Sequence, residues 1–378
     1  TFSTVNGSGS ATANITLMRA LFRMGIPVSG KNIFPSNIQG QPTWFTLRLS
    51  RKGYIARKQE DDIIVAMNPS TVGKDISCLV PGGVMLIPDD FEYVNPRDDI
   101  VVYEMPVHEL VLQAEIHTAF REYIANMVYV GVLASLLKIE MEAIYNALDY
   151  HFKGNAKSIE INYKVVELAY KWAENNLTKK DRYLTSRMNG TKGCIMTDGN
   201  TAAALGSIYG GVQFVSWYPI TPATSLVETL HEYLPQLRQD PETGKDTFAV
   251  VQAEDELAAI GMAIGAGWGG LRAMTSTSGP GLSLMTEYIG LAYYAEVPVV
   301  IWDVQRVGPS TGMPTRTAQG DLTMVNFISH GDTQILILIP GTINECFDFG
   351  WMAFDIAERY QTPVVVLSDL DFGMNQWM

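Results

Sequence analysis

The feature that most constrains this chain is the regular alternation of strand-like and helix-like patterns in its second half. From residue 200 to the end, short apolar runs alternate with segments whose apolar residues recur every three or four positions. Because a helix rather than a tight turn follows nearly every strand, neighbouring strands are expected to run parallel, with helices on both faces. The pattern therefore predicts a doubly wound parallel sheet, which binds ligands at the carboxyl ends of its strands.

The predicted elements of this half leave one long irregular connection, between residues 305 and 333. The predicted helices span residues 201–207, 224–233, 256–267, 281–295 and 342–360. The predicted strands span residues 213–218, 248–252, 272–275, 297–304, 334–338 and 363–367. A long loop at the end of a strand is where binding residues often lie.

The first half shows shorter alternation of the same kind. Residues 15–24 have helical periodicity, and the apolar runs at 63–67 and 84–87 are typical of strands. This pattern predicts a second parallel sheet over residues 1 to about 105. Three helical stretches are expected between residues 106 and 175.

A polar segment separates the two halves. Residues 176–199 are basic, contain glycine and lack any periodicity, which is typical of a linker. The chain is therefore expected to be an α/β protein of two domains, at residues 1–175 and 200–378.

Composition excludes several classes of protein. With a net charge of −13 and scattered Lys and Arg, the chain offers no basic stripe for nucleic acid. The longest apolar runs, residues 297–302 and 335–339, are far shorter than the roughly 20 residues that a membrane span needs. Residues 1–13 lack the basic and apolar regions of a secretory signal. We therefore expect a cytoplasmic protein without a membrane or nucleic-acid partner.

The three cysteines of the chain do not form a recognisable disulfide or metal-binding motif. Cys78, Cys194 and Cys346 lie far apart in the sequence, without CxxC spacing. They predict neither a disulfide framework nor a zinc or iron–sulfur site within this chain alone, so no metal ligands are expected here.

Three loops that follow predicted strands contain unusual polar residues. In YPITP, residues 218–222, two prolines hold an extended turn that presents the Tyr and Thr hydroxyls. At residues 254–256 a carboxylate opens a helix rich in alanine and glycine, and Arg306 leads from an apolar strand into a Gly/Pro/Thr loop. Each feature also has a structural explanation: a rigid turn, a helix-dipole partner and a surface ion pair, respectively.

Taken together, these loops resemble one enzyme family. The segments WYPITPATSLVE, QAEDELAAIGMAIGAGWGG, TSTSGPGLSLMTEYIGLAYYAEVPVV and QRVGPSTGMPTRTAQGDL are similar, in order and spacing, to the α subunit of 2-oxoacid:ferredoxin oxidoreductases. This resemblance covers residues 198–378 and implies a sheet like the pyrimidine-binding domain of thiamine-diphosphate enzymes. Residues 1–175 resemble, more weakly, the γ domain that is fused ahead of α in the branch that includes 2-oxoglutarate:ferredoxin oxidoreductase.

The resemblance assigns catalytic roles to five residues. Glu256 takes the position of the glutamate that bonds the aminopyrimidine ring of thiamine diphosphate and favours the tautomer that removes the C2 proton. Tyr218 and Thr221 match residues beside the substrate and the thiazolium, so Thr221 is also expected to contact the cofactor. Arg306 matches the arginine that holds the 2-oxoacid carboxylate, and Thr315 matches a threonine of the substrate pocket.

The first half contributes an expected coenzyme A (CoA) contact. NGSGSATAN resembles the GSDGTVGAN-like loops that approach CoA in single-chain pyruvate enzymes, which implicates Gly7, Ser8, Gly9, Ser10 and Thr12. A glycine-rich loop that enters a helix is suited to hold a pyrophosphate, but it also occurs as a structural turn. The sequence leaves both interpretations open.

Departures from the family pattern imply a partner chain. No GDG motif followed at a distance by Asn is present, so the Mg²⁺ and diphosphate site is expected on a separate β subunit, together with the [4Fe–4S] cluster. Thiamine diphosphate would then be shared between two chains, ferredoxin would accept the electrons, and a dimer of αβ units is expected. The family's α subunits usually continue beyond DLDFGMNQWM into a further domain, which is either missing here or placed on another segment.

The sequence therefore predicts a subunit of a CoA-acylating oxidoreductase. The expected reaction is oxidative decarboxylation of 2-oxoglutarate with CoA, which yields succinyl-CoA, CO₂ and reduced ferredoxin. Two alternatives remain open. One is an oxidoreductase for pyruvate or for a broad range of 2-oxoacids, because nothing in the sequence defines the pocket for the distal end of the substrate. The other is a non-catalytic scaffold that binds CoA or a nucleotide.

Overall fold

The chain folds into two compact units. The computed structural model describes residues 1–33, 39–95, 97–310 and 313–378. The first unit comprises Thr1–Ile195 with Met378, and the second comprises Met196–Trp377. The boundary between them falls within the segment that the sequence predicts as a linker.

The first unit is built on a six-stranded sheet with the order β2-β3-β1-β4-β5-β6. Its strands are β1 (Phe2–Val5), β2 (Val28–Ile33), β3 (Pro42–Leu49), β4 (Asp61–Ala66), β5 (Leu79–Pro88) and β6 (Val101–Met105). Its helices are α1 (Ser10–Arg23), α2 (Val72–Cys78), α3 (Val107–Gln113), α4 (Thr118–Ile124), α5 (Met127–Leu137), α6 (Met141–His151) and α7 (Ala156–Asn176). The region from residue 106 to 175 thus contains more and shorter helices than the three stretches that were predicted.

The prediction that this first sheet is parallel is wrong for two strand pairs, β1 with β3 and β2 with β3. Strands β1, β4, β5 and β6 run parallel, but β3 is antiparallel to β1, and β2 is antiparallel to β3. The connection from Ile33 to Pro42 explains the difference, because it is too short for the crossover of a dozen or more residues that parallel neighbours require.

The apolar face of the first sheet packs against helices of its own unit. Helix α5 is buried on all sides, and Gly131 within it has no side chain, so that α7 can approach its backbone. A Cβ atom at Gly131 would overlap the carbonyl oxygen of Val166 in α7. Close packing of this kind accounts for the interior position of an entirely apolar helix.

The segment after α7 is attached to the first unit at several points. The hydroxyl of Tyr103 donates to the Asp181 carboxylate at 2.8 Å, and the backbone N–H of Thr185 donates to the Leu137 carbonyl at 2.9 Å. The N–H of Met188 donates to the carbonyl of Met24 at 2.8 Å. Although it has no helix or strand, this segment satisfies its polar groups through defined partners.

The second unit is a doubly wound parallel sheet, as predicted. The order of its strands is β11-β12-β10-β9-β7-β8, and every strand pair in it is parallel. Its strands are β7 (Phe214–Trp217), β8 (Ala249–Gln252), β9 (Ala273–Thr277), β10 (Val299–Gln305), β11 (Leu336–Leu338) and β12 (Pro363–Asp369). Its helices are α8 (Gly199–Tyr209), α9 (Thr224–Leu237), α10 (Glu256–Trp268), α11 (Gly279–Leu284), α12 (Thr286–Tyr294), α13 (Leu322–Asn326), α14 (Ile343–Tyr360) and α15 (Leu370–Met374).

Apolar clusters cover both faces of this second sheet. Trp302 and Val304 of β10 pack on one face with residues of α8, α9 and α14, whereas Ile301 packs on the other face with residues of α10, α11 and α12. The helix that was predicted over residues 281–295 is divided into α11 and α12 at Met285. No helix within the described part of the chain is both long and apolar enough to cross a lipid bilayer.

Helices α8 and α14 pack closely because Gly206 has no side chain, so substitution of this glycine should lower the stability of the protein. A Cβ atom at Gly206 of α8 would overlap the carbonyl oxygen of Phe347 in α14, whereas a Cβ atom at Gly265 of α10 would meet nothing within 4 Å. Gly206→Ala should therefore lower the free energy of unfolding by about 1–3 kcal/mol. Gly265→Ala should raise it by about 0.5–1 kcal/mol, because alanine favours the helix. Chemical denaturation of both variants checks this, and equal effects at the two sites would contradict the packing argument.

Candidate functional site

A cleft opens at the carboxyl ends of four neighbouring strands of the second unit. The loops that follow β7, β8, β9 and β10 line a cavity of about 660 Å³. This is the edge at which a parallel sheet of this type binds its ligands. The lining residues are Tyr218, Pro219, Ile220, Thr221, Glu256, Pro280, Ser283, Leu284, Arg306, Ser310 and Pro314.

Arg306 brings a positive charge to the floor of this cleft. It follows β10, a strand that is buried along its whole length, and it is only 4% exposed. One Nη of Arg306 donates to the Thr221 carbonyl at 2.5 Å, the other donates at a long 3.4 Å to the Ser310 carbonyl, and the buried Nε donates to no acceptor among the described residues. An anion in the cleft would satisfy these donors.

Burial lowers the pKa of the Arg306 guanidinium, and the negative charge of Glu256 partly opposes this effect. The guanidinium remains charged at neutral pH because its ordinary pKa is so high. The cleft therefore holds a cation that is poorly solvated and incompletely hydrogen bonded.

Glu256 supplies a buried carboxylate to the same cleft. It is the first residue of α10, and the preceding Asp255 caps this helix by accepting from the N–H of Ala258 at 2.7 Å. Glu256 is 8% exposed, and its carboxylate takes part in none of the hydrogen bonds among the described residues. Because Asp255 caps the helix, the Glu256 carboxylate is available to a hydrogen-bond donor on a ligand.

The turn that begins α11 allows close approach to Glu256. A Cβ atom at Gly281 would lie 2.7 Å from Cγ and 3.1 Å from Oε1 of Glu256. This turn was not identified from the sequence as part of the site, although Pro280 and Ser283 also line the cleft. The SGPG tetrapeptide after β9 was the available signal, since glycine next to a functional carboxylate often reflects a need for space.

The YPITP turn contacts Arg306 through the Thr221 carbonyl and is held by a side chain of α8. The Asn200 side-chain amide in α8 donates to the Pro222 carbonyl at 2.7 Å and to the Ser225 hydroxyl at 2.8 Å. Tyr218 is exposed and Thr221 is half-buried at the cleft. Asn200 was not identified from the sequence, because nothing in a single helical Asn indicates a distant turn as its partner.

Four of the five predicted catalytic residues, Tyr218, Thr221, Glu256 and Arg306, thus line one cleft. The fifth, Thr315, is buried in the loop between Arg306 and α13, directly after the cleft-lining Pro314, but it does not itself line the cavity. Its role as a substrate contact stays a prediction.

The glycine-rich loop lies in the first unit, between β1 and α1. Gly7 and Gly9 adopt φ angles of 87° and 81°. A Cβ atom at Gly9 would overlap the Tyr123 carbonyl oxygen, and the buried Ser10 hydroxyl accepts from the Thr4 hydroxyl at 2.9 Å. Gly9 and Ser10 therefore have structural roles of their own.

The remaining residues of this loop are accessible. Gly7 is exposed, and Ser8 and Thr12 are half-buried. Gly9 occupies the N-cap position of α1, and no side chain caps this helix. The first N–H groups of α1 are therefore free of a side-chain acceptor and could bind an anion. No group of three or more His, Cys, Asp or Glu side chains suited to hold a metal occurs within residues 1–33, 39–95, 97–310 and 313–378.

Both halves of the chain match known families. Residues 205–376 match the family described as "pyruvate flavodoxin/ferredoxin oxidoreductase, thiamine diP-bdg". Residues 1–172 match the family described as "pyruvate ferredoxin/flavodoxin oxidoreductase". The two matches agree with the resemblance that the loop sequences indicated.

The chain is similar in sequence to subunits of enzymes that are named for 2-oxoacids. The α subunit of 2-oxoacid:ferredoxin oxidoreductase 1 from Sulfurisphaera tokodaii is 34% identical over 407 residues, covering 96% of this chain and 63% of that protein. The 2-oxoglutarate synthase subunit KorA from Methanothermobacter marburgensis is 50% identical over 171 residues, covering 45% of this chain and 43% of that protein. The chain thus spans about 63% of the length of the first of these relatives.

A solved structure shares the whole fold. The 2-oxoglutarate:ferredoxin oxidoreductase from Magnetococcus marinus, solved with 2-oxoglutarate, CoA and succinyl-CoA bound, superposes with a TM-score of 0.88 at 30% identity. The match covers 99% of this chain and 64% of that one. Because both halves match in sequence and nearly the whole chain matches in fold, the chain belongs to the 2-oxoacid:ferredoxin oxidoreductase family and corresponds to its α subunits.

Proposed function

We propose that this chain is the α part of a thiamine-diphosphate-dependent 2-oxoglutarate:ferredoxin oxidoreductase. The reaction converts 2-oxoglutarate and CoA into succinyl-CoA and CO₂, and the two electrons released pass to ferredoxin. The observation that carries this proposal is the pairing, in one cleft, of a buried carboxylate at Glu256 with a buried, incompletely bonded cation at Arg306. The names of the relatives and the 2-oxoglutarate in the Magnetococcus marinus structure support the choice of substrate.

The cleft residues fit the aminopyrimidine half of thiamine diphosphate. The Glu256 carboxylate needs a donor such as a protonated ring nitrogen, and Ile220, Pro280 and Leu284 offer apolar surface to a planar ring. When bound, thiamine diphosphate would supply a nucleophilic carbon for the 2-oxo group and an acceptor for the electron pair left by the loss of CO₂. Glu256 would hold a proton at the pyrimidine ring nitrogen, which favours the tautomer whose exocyclic imino nitrogen is a base.

Arg306 is proposed to bind the carboxylate next to the 2-oxo carbon of the substrate. Its Nε and the weakly bonded Nη provide the two parallel donors that a carboxylate accepts. The contact of the other Nη with the Thr221 carbonyl holds the guanidinium plane in place. Tyr218 and Thr221 line the same cavity, and their hydroxyls are proposed to contact the substrate and the cofactor.

A partner chain is proposed to complete the cofactor site. It corresponds to a β subunit that carries the diphosphate and Mg²⁺ site and the [4Fe–4S] cluster, in a dimer of αβ units. Helices α10, α11 and α12 support this, because they expose several large apolar side chains. These are Leu257, Trp268, Leu284, Leu291 and Tyr294.

CoA is proposed to meet the loop between β1 and α1. Gly7, Ser8 and Thr12 are accessible there, and the uncapped start of α1 suits a phosphate group. Gly9 and Ser10 are proposed to shape this loop through their contacts with Tyr123 and Thr4 rather than to contact CoA directly.

The proposed function is tested by turnover of the assembled complex with a viologen acceptor. The panel contains 2-oxoglutarate, pyruvate and 2-oxobutyrate, each with and without CoA. We expect the highest kcat/KM with 2-oxoglutarate. A higher value with pyruvate would change the substrate assignment, whereas no turnover of any 2-oxoacid by the thiamine-loaded complex would refute the function.

Replacement of Glu256 tests its role in activating the cofactor. Glu256→Gln keeps the shape of the side chain but cannot stabilise the protonated ring nitrogen, so kcat should fall by about 10²–10³-fold. Exchange of the C2 proton of bound thiamine, followed by NMR, should slow to a similar degree. Glu254→Gln, at an exposed position two residues earlier, is the matched control and should behave like the wild type. Unchanged proton exchange in Glu256→Gln would show that the assignment is wrong.

Substitutions of Arg306 separate its charge from its planar shape. Arg306→Ala should lower kcat/KM for the 2-oxoacid, with a loss of about 2–4 kcal/mol of transition-state stabilisation. Arg306→Lys should lose less, because lysine keeps the charge but lacks the paired donors. Thiamine diphosphate content should stay near that of the wild type. Arg316→Ala, in the same loop but outside the cleft lining, is the comparison. Loss of activity in Arg316→Ala with wild-type behaviour of Arg306→Ala would move the carboxylate site to Arg316.

Charge substitution in the glycine-rich loop tests the CoA proposal. Ser8→Asp places a negative charge beside the start of α1 and should raise the KM for CoA about tenfold through repulsion of phosphate. In Ser8→Asn the new side chain has nearly the size of aspartate but no charge, so the KM for CoA should change little. The KM for the 2-oxoacid should be unaffected in both variants. Equal KM values for CoA in the Asp and Asn variants would place the CoA phosphates elsewhere.

A further inference from the structure

Two buried acidic side chains behind the cleft have no role in the proposed reaction. Asp303 lies in β10, three residues before Arg306, and is 0% exposed. Neither of its carboxylate oxygens accepts a hydrogen bond from any donor among the described residues. The neighbouring strands place Thr277 and Leu367 beside it, and neither of these residues carries a charge. An isolated buried aspartate of this kind is costly in free energy.

The other acidic residue, Asp321, closes the loop that begins at Arg306. Its backbone N–H donates to the side-chain oxygen of Gln305 at 3.0 Å. Its Oδ2 is buried and accepts no hydrogen bond from a described residue, and its side chain does not cap α13. The carboxylate lies against the start of α11, because a Cβ atom at Gly279 would be 2.7 Å from Oδ2 and 2.9 Å from Oδ1.

Asp303 and Asp321 are close enough to affect each other's pKa, and three of their four carboxylate oxygens are buried without a donor among the described residues. Burial, followed by the adjacent charge of Asp321, raises the pKa of Asp303 well above its usual range, and burial also raises the pKa of Asp321. Among the described residues, no other charged group acts on either carboxyl. Two carboxylates in contact cannot both ionise without strong repulsion, but a single proton between them makes one a donor and the other an acceptor.

We propose that Asp303 and Asp321 share one proton, and that the resulting hydrogen bond fastens the far end of the loop from Arg306 to Asp321 onto strand β10. The bond would act beside the hydrogen bond from the Asp321 N–H to Gln305, and nearer Arg306 the loop is closed by the Val307 N–H, which donates to the Arg316 carbonyl at 2.9 Å. This attachment holds the segment that contains Arg306, Pro314 and Thr315 against the cleft. The attachment itself does not depend on the proposed reaction; only its consequence for substrate binding does.

The shared proton makes the attachment pH-dependent in a defined direction. Because the folded chain retains a proton that the unfolded chain loses above the ordinary pKa of aspartate, the pair contributes full stability at low pH. This contribution declines as the pH rises towards the raised pKa of the folded pair. The Asp303→Asn variant has a permanent donor, so its stability should not show this decline.

The experiment measures how often the loop opens in the full chain. Trypsin can cleave after Arg316 within the loop, and cleavage after the exposed Lys192 provides the internal reference for protease activity. At neutral pH we expect Asp321→Ala to accelerate cleavage after Arg316 at least about tenfold, the change that a bias of 1.4 kcal/mol produces. Asp321→Asn and Asp303→Asn should restore slow cleavage, because an amide can donate in place of the shared proton.

A matched control and a second measurement distinguish a shared proton between Asp303 and Asp321 from a purely steric role of these side chains. Asp198→Asn alters a half-buried carboxyl with a raised pKa in the same unit, and it should leave cleavage after Arg316 unchanged. Infrared difference spectra between wild type and Asp303→Asn at neutral pH should show the carbonyl band of a protonated carboxylic acid that only the wild type has. Absence of this band, or equally fast cleavage in Asp321→Ala and Asp321→Asn, would overturn the proposal. If Asp321→Ala fails to fold, the infrared measurement alone decides.

Discussion

The cleft of the second unit depends on strand β10, which is buried along its whole length but is followed directly by a polar residue, Arg306. Apolar side chains on both faces of β10 hold it in the middle of the sheet, so its last residues cannot be solvated by a shift of the strand. Gln305 and Arg306 must therefore find partners in the neighbouring strand and loops. The hydrogen bond from Arg306 to the Thr221 carbonyl is the result, and it joins the loops that follow β7 and β10 into one wall of the cleft.

This arrangement leaves two charged side chains in the cleft without a full set of hydrogen-bond partners. A guanidinium with an unused Nε and a carboxylate without a donor face the same cavity, and each would be more stable with a ligand or a partner group in contact. Binding residues are thus held ready by the sheet, and the free energy that their desolvation costs is recovered when the complementary groups arrive. Rigid placement of incompletely paired charges is a common property of catalytic sites.

The sequence predicted the second unit well because each strand and helix there has its own clear period. It also predicted the meeting of Glu256 with Arg306, since the carboxyl ends of parallel strands share one edge. The antiparallel edge of the first sheet was missed because strand direction depends on the connection between Ile33 and Pro42 rather than on the period of either strand. The contact of Asp303 with Asp321 could not be predicted, because it depends on the space left at Gly279 and on the path of a loop without periodicity.

The segment from residue 177 to 195 has a practical meaning for how this chain can be divided. Its polar groups are bonded to Tyr103, Leu137 and Met24, so it is structurally the last part of the first unit rather than a free tether. A gene that encoded the two units as separate polypeptides would keep these hydrogen bonds within one polypeptide if it were split after Ile195, where the division between the units lies. A split after the last residue of α7 would strip the first unit of its outermost layer of hydrogen bonds and expose the apolar surface beneath it.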